Sequence, residues 1–133
     1  MTNDALYAYA ERQGCRVDFI PLPISKEIVI HGKRDCVALD THLSRVEEKE
    51  RAAHGIGHCK FGGFYNRYSQ YSIREKAERR AEKWSYVKLL PIGEVRAACK
   101  RGICEVWQLA EQFDVSCEFA AKAIRYYQSV GLM

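Results

Sequence analysis

The 133-residue chain has no apolar run near the ~20 residues that span a bilayer. Its first residues, Met1-Thr2-Asn3-Asp4-Ala5-Leu6, lack the basic and apolar stretches of an export signal. Together these absences argue against membrane insertion and secretion and lead to the expectation of an intracellular, cytoplasmic protein. None of the six cysteines, at positions 15, 36, 59, 99, 104 and 117, forms a C-x-x-C pair, so they read as free thiols rather than a disulfide framework or a cysteine-only zinc site. Strong net charge is also missing. The formal +4 is uneven, however, because residues 67 to 101 carry ten Lys or Arg against four Asp or Glu.

What the chain does hold is Arg51-Ala52-Ala53-His54-Gly55-Ile56-Gly57-His58-Cys59. A helix turns every ~3.6 residues, so His54 and His58 project from one face about a turn apart, as two ligands of one metal must. That is half of the H-E-x-x-H zinc signature. The Glu that takes a proton from the zinc-activated water would follow the first His, and Gly55 stands there instead. Two histidines at this spacing also occur on packed or solvated faces. Against that, Gly55 and Gly57 each cost a helix interior roughly 1 kcal/mol relative to Ala, so the segment is tuned for something besides helicity, such as close approach of another backbone.

Around this stretch the chain reads as α+β. A short amphipathic helix from Asp4 to Gln13 ends at Gly14. Arg16 to Leu22, Glu27 to Ile30 and Asp35 to Leu39 are short, β-branched or aromatic, and separated by turn material, which predicts a small three-stranded antiparallel sheet. Asp40-Thr41 or Ser44 caps the histidine helix, which runs to about Lys60 and stops at Gly62-Gly63. The loop from Phe64 to Tyr71 is dense in aromatics, among them Tyr65, Tyr68 and Tyr71, and suits either an active-site rim or packing over the sheet. Ser72-Ile73-Arg74-Glu75 reads as a capping box that opens a helix ended by Pro91. On it Glu78 shares a stripe with Ala81 and Ser85, small residues that let two helices approach, and a third metal ligand could come from there. A helix from Gly93 to Arg101 precedes a final pair, Glu105 to Phe113 and, capped by Ser116, a helix to about Val130. The spacing of that pair fits a helix-turn-helix or a bare helical hairpin. Its net negative charge argues against direct nucleic-acid binding.

His54 to His58, the run Cys59 to Asn66, Glu78-Arg79-Arg80-Ala81-Glu82-Lys83-Trp84 and Leu89-Leu90-Pro91 together resemble the ImmA/IrrE family of metallopeptidases. In that pattern an A-H-E-[LI]-G-H helix is followed by a helix E-x-x-A-[DN]-x-[FW]-A that ends near L-[LI]-P. The resemblance implies a zincin-like core at residues 1 to 92 with a helical extension at 93 to 133. It further implies zinc held by His54, His58 and Glu78, and a helix-turn-helix transcriptional repressor as partner, which family members carried by prophages and integrative elements cleave. Two positions depart from the pattern. Gly55 replaces the general base, and Glu82 replaces the Asp or Asn after Ala81, where support of the ligands is at stake.

Gly55 leaves three possibilities: an inactive relative that binds zinc and a partner, a disabled enzyme, or an enzyme in which another acid substitutes. Glu50 projects ~140° away around the helix and Glu82 lies a turn beyond Glu78, so neither is well placed. A phenol from Tyr65, Tyr68 or Tyr71 can stabilise an oxyanion but is a poor base. The rival expectation from another class is a non-enzymatic regulator that binds a transcription factor or DNA through the Glu105 to Val130 helices and the basic Arg67 to Arg101 stretch.

Overall fold

The computed structural model describes residues 1–61 and 68–133 and orders them as α1 (Asn3–Arg12), β1 (Cys15–Ile20), β2 (Glu27–Ile30), β3 (Asp35–Asp40), α2 (Arg45–Phe61), α3 (Tyr71–Leu89), α4 (Ile92–Lys100), α5 (Val106–Phe113) and α6 (Cys117–Ser129). The α+β expectation holds. Gly62, Gly63 and Tyr65 lie outside the described residues.

The sheet is mixed rather than antiparallel throughout. Its order is β1-β3-β2, with β3 parallel to β1 and antiparallel to β2. The reason lies in the chain after β1. Pro21 and Pro23 have no N–H to continue a ladder, and Leu22 between them donates its N–H to the Asp40 carboxylate at 3.2 Å. This tether carries the chain across the end of β3's position, so β2 starts at the far edge and the hairpin at residues 31–34 returns β3 to the middle. The burial agrees: Val37, Ala38 and Leu39 of β3 are buried, whereas β1 and β2 are half-exposed edges.

Of the alternatives for capping α2, Ser44 does so, its Oγ accepting from the Glu47 N–H. Helix α3 begins at Tyr71 with Gln70 as its cap and no side-chain capping bond, so Ser72-Ile73-Arg74-Glu75 lies inside the first turns instead of opening the helix. Ser116 caps α6 as expected, accepting from the Phe119 N–H. The hairpin of α5 and α6 is pinned to α2 by polar contacts: Arg45 pairs with Asp114, the buried Lys49 ammonium donates to Asp114 O and Oδ2, and Glu50 accepts from Ser116 N–H and Oγ. Leu109, Phe113 and Ala123 join Leu6, Val37, Ala53 and Ile56 in one buried cluster. No described helix is long and apolar enough to cross a membrane.

Candidate metal centre

Two glycines set how closely α2 can be approached. A Cβ on Gly57 would stand 2.9 Å from the Ala81 carbonyl oxygen and 3.0 Å from Ala81 Cα, so the backbones of α2 and α3 meet here and only a hydrogen fits between them. This is the close approach expected from the small residues. A Cβ on Gly55 would stand 2.6 Å from Val37 Cγ1 and 3.3 Å from Glu27 Oε2. Gly55 therefore sits against the middle and edge strands, and its lack of a side chain is a packing requirement as well as a missing acid.

Because α3 lies so near, Glu78 reaches both histidines. Its Oε2 is 2.9 Å from His54 Nε2 and its Oε1 is 3.0 Å from His58 Nε2, and the ligand atoms of the three residues lie within 4.8 Å of one another. The imidazoles are largely buried, with side chains 18% and 8% exposed, while Glu78 is partly exposed at 35%. Nδ1 of His54 lies 2.7 Å from Oε1 of Glu27, the first residue of β2. With its proton donated to Glu27, a neutral His54 turns the Nε2 lone pair toward a carboxylate, and acceptor faces acceptor. A cation resolves that repulsion, either a proton or a metal ion. A tetrahedral zinc separates its nitrogen and oxygen ligands by roughly 3.3 Å, close to the two distances from Glu78 to the imidazoles, so the donor types and the Glu78 contacts suit such an ion. In the metal-free chain the proton takes this role: burial disfavours imidazolium, but the bonds to Glu27 and Glu78 outweigh it and raise His54 to about 10.

A cleft of about 560 Å³ opens beside His54 and Glu78 between α2, α3 and α6, and its lining includes Lys26, Arg51, Glu82, Ser116, Phe119 and Lys122. Glu50 also lines it, but its Oε1 is engaged by Ser116, and Glu82 is exposed. Among the described residues, no hydrogen bond or ion pair joins the Glu82 side chain to His54. Tyr68 and Tyr71 are 79% and 70% exposed and are not among the described residues that line the cleft. The residue that sequence reasoning missed is Glu27. On a short alternating edge strand a carboxylate looks solvated, and only the fold carries it to a histidine 27 positions away.

Comparison with known proteins agrees with this architecture. The Peptidase M78 family model, described as the IrrE N-terminal-like domain, matches residues 10–125. A solved structure titled as a Mycobacterium tuberculosis transcriptional regulator superposes with a TM-score of 0.67 at 16% identity, over 86% of this chain. The chain spans only 38% of that protein, and at this identity the likeness shows the fold. No curated protein matches.

Proposed function

The chain belongs to the IrrE N-terminal-like domain family of metallopeptidases, and from that premise we propose that it binds zinc through His54, His58 and Glu78, recognises a helix-turn-helix transcriptional repressor, and hydrolyses it poorly. The observation that carries this reading is the convergence of three donor side chains, two of which, His54 and Glu78, line the cleft, beside a glycine where the general base belongs. Zinc bound there supplies Lewis acidity, polarising a peptide carbonyl and acidifying water.

The chain's own residues set the rest. His54 and His58 approach from one turn of α2 and Glu78 from α3, so the ion's position depends on the contact between Gly57 and Ala81. Strand β2 is a sheet edge, Lys26 just before it lines the cleft, and an extended segment of a partner can align its backbone there as an added strand. Tyr68 and Tyr71, exposed outside the cleft lining, offer further contact to a partner. Gly55 has no group to take up a proton, Glu50 is engaged at the cap of α6, and general-base assistance is worth ~10²–10⁴ in rate. Binding therefore outlasts chemistry. The Mycobacterium tuberculosis neighbour, titled a transcriptional regulator, is consistent with a role in transcriptional control.

The test follows a helix-turn-helix repressor with the zinc-loaded chain, measuring binding and, by mass spectrometry, cleavage. The expected result is zinc-dependent binding with slow or no cleavage, and, at saturating zinc because a side chain at 55 also presses on Glu27, a gain of at least ~10²-fold when Gly55→Glu is combined with Val37→Ala. Binding that survives chelation unchanged would favour the non-enzymatic regulator. Efficient cleavage by the unmodified chain would overturn the impaired-base reading.

A further inference from the structure

We propose that Glu27 is the positioning residue of the metal centre, a carboxylate brought from β2 to orient His54, and that Gly55 supplies the room it occupies. The proposal rests on the reading of His54, His58 and Glu78 as metal ligands.

Three observations converge on it. First, Glu27 Oε1 lies 2.7 Å from His54 Nδ1, the ring nitrogen that does not face Glu78, while Nε2 does. A histidine ligand whose second nitrogen donates to a carboxylate is fixed in one tautomer and ring orientation, and its metal-facing lone pair becomes a better donor. Second, the Glu27 side chain is only 12% exposed, and Arg51, one turn before His54, stands 3.7 Å from the same Oε1 and balances its charge. An edge-strand carboxylate facing solvent would not be held this way. Third, Oε2 is buried with no hydrogen-bond partner among the described residues and lies 3.3 Å from where a Cβ on Gly55 would be. Any side chain at 55 presses on Val37 and on this carboxylate together.

The Glu82 side chain on α3 is exposed, and the carboxylate on His54 Nδ1 comes from the sheet. Glu27 and Gly55 thus form a coupled pair: the strand delivers the acid, and the helix makes space for it.

The experiment is a zinc titration of the full chain against a chromophoric chelator, for the unmodified protein, Glu27→Ala, Glu27→Gln and Gly55→Ala, with circular dichroism as the check on folding. Glu27→Ala should weaken zinc binding 10- to 100-fold. Glu27→Gln keeps an acceptor without the charge and should lose less than Glu27→Ala. Gly55→Ala, which leaves every ligand in place, should also weaken binding, because it displaces the carboxylate. Nitrogen-15 spectra of the zinc-loaded chain should show His54 protonated at Nδ1, with that proton exchanging faster in Glu27→Ala. If Glu27→Ala does not fold, the glutamine variant and the spectrum decide. Zinc affinity unchanged in the folded variants would overturn the proposal while leaving the three-ligand site standing; no zinc binding by the unmodified chain would overturn the site itself.

Discussion

Replacing Gly55 by alanine should destabilise this protein, although the same change in an ordinary helix interior stabilises by roughly 1 kcal/mol. The added methyl would lie 2.6 Å from Val37 Cγ1, where carbon atoms settle at about 3.5–4.0 Å, an overlap of about 1 Å. Val37 cannot retreat easily. It is fully buried on the central strand, and β3 is hydrogen-bonded to β1 on one side and β2 on the other. Overpacking of this kind costs about 1–3 kcal/mol, which outweighs the helical gain and leaves a net loss near 1 kcal/mol. Val37→Ala alone removes two buried methyl groups and should cost about 2 kcal/mol. In the double variant the methyl at 55 fills part of the space vacated at 37, so the two losses should not add. A double-mutant cycle by urea unfolding should therefore give a coupling energy of about 1–2 kcal/mol, favourable to the pair. A coupling under about 0.5 kcal/mol, or a Gly55→Ala protein more stable than its parent, would refute the claim that β3 packs against this glycine.

Three further outcomes follow from the same contacts. Gly57→Ala places a methyl 2.9 Å from the Ala81 carbonyl, so it should cost about 1–3 kcal/mol and weaken zinc binding by moving Glu78; unchanged zinc affinity in a titration would contradict the role of this contact. Asp114→Ala should cost about 2 kcal/mol in denaturant unfolding, because it strips the buried Lys49 ammonium of its carboxylate; the figure is at the low side since Asp114 is itself 43% exposed. The hydrogen bond from Arg45, with help from Lys49, depresses Asp114 to about 2, so this stabilisation is complete above pH ~4 and fades as pH falls toward 2, a loss the Asp114→Ala protein should not show. His54 has the opposite sign. Raised to about 10 in the metal-free chain, it contributes stability that is whole below its ordinary 6.5 and is lost as pH rises through 10, and melting curves should show that decline without zinc and not with it.

The helical part of this fold was legible because its signals are local. The His54 and His58 spacing, the Ser116 cap and the small-residue stripe of Glu78, Ala81 and Ser85 each depend on residues within a turn or two, and each appears where expected. Strand direction depends instead on where the chain re-enters the sheet, and that is decided by the bond from Leu22 to Asp40 across 18 positions, which no pattern in β1, β2 or β3 reveals. The capping-box motif at Ser72 failed for a related reason: the helix extends back to Tyr71, so the motif's residues are already helical. Gly55 was legible as a missing base and, with Gly57, as a point of close approach, but not as a contact with Val37 and Glu27. Its meaning changes once Val37 and Glu27 are seen around it, because restoring an acid at that position requires room that the sheet occupies.

The most direct test of the metal centre is the zinc content of the purified chain by mass spectrometry, beside His58→Ala and Glu78→Ala variants prepared identically. The expectation is about one zinc per chain in the parent, with its loss in both variants, since each removes one of the three proposed ligands. A parent that stays metal-free after reconstitution with zinc, or variants that retain the ion fully, would contradict it.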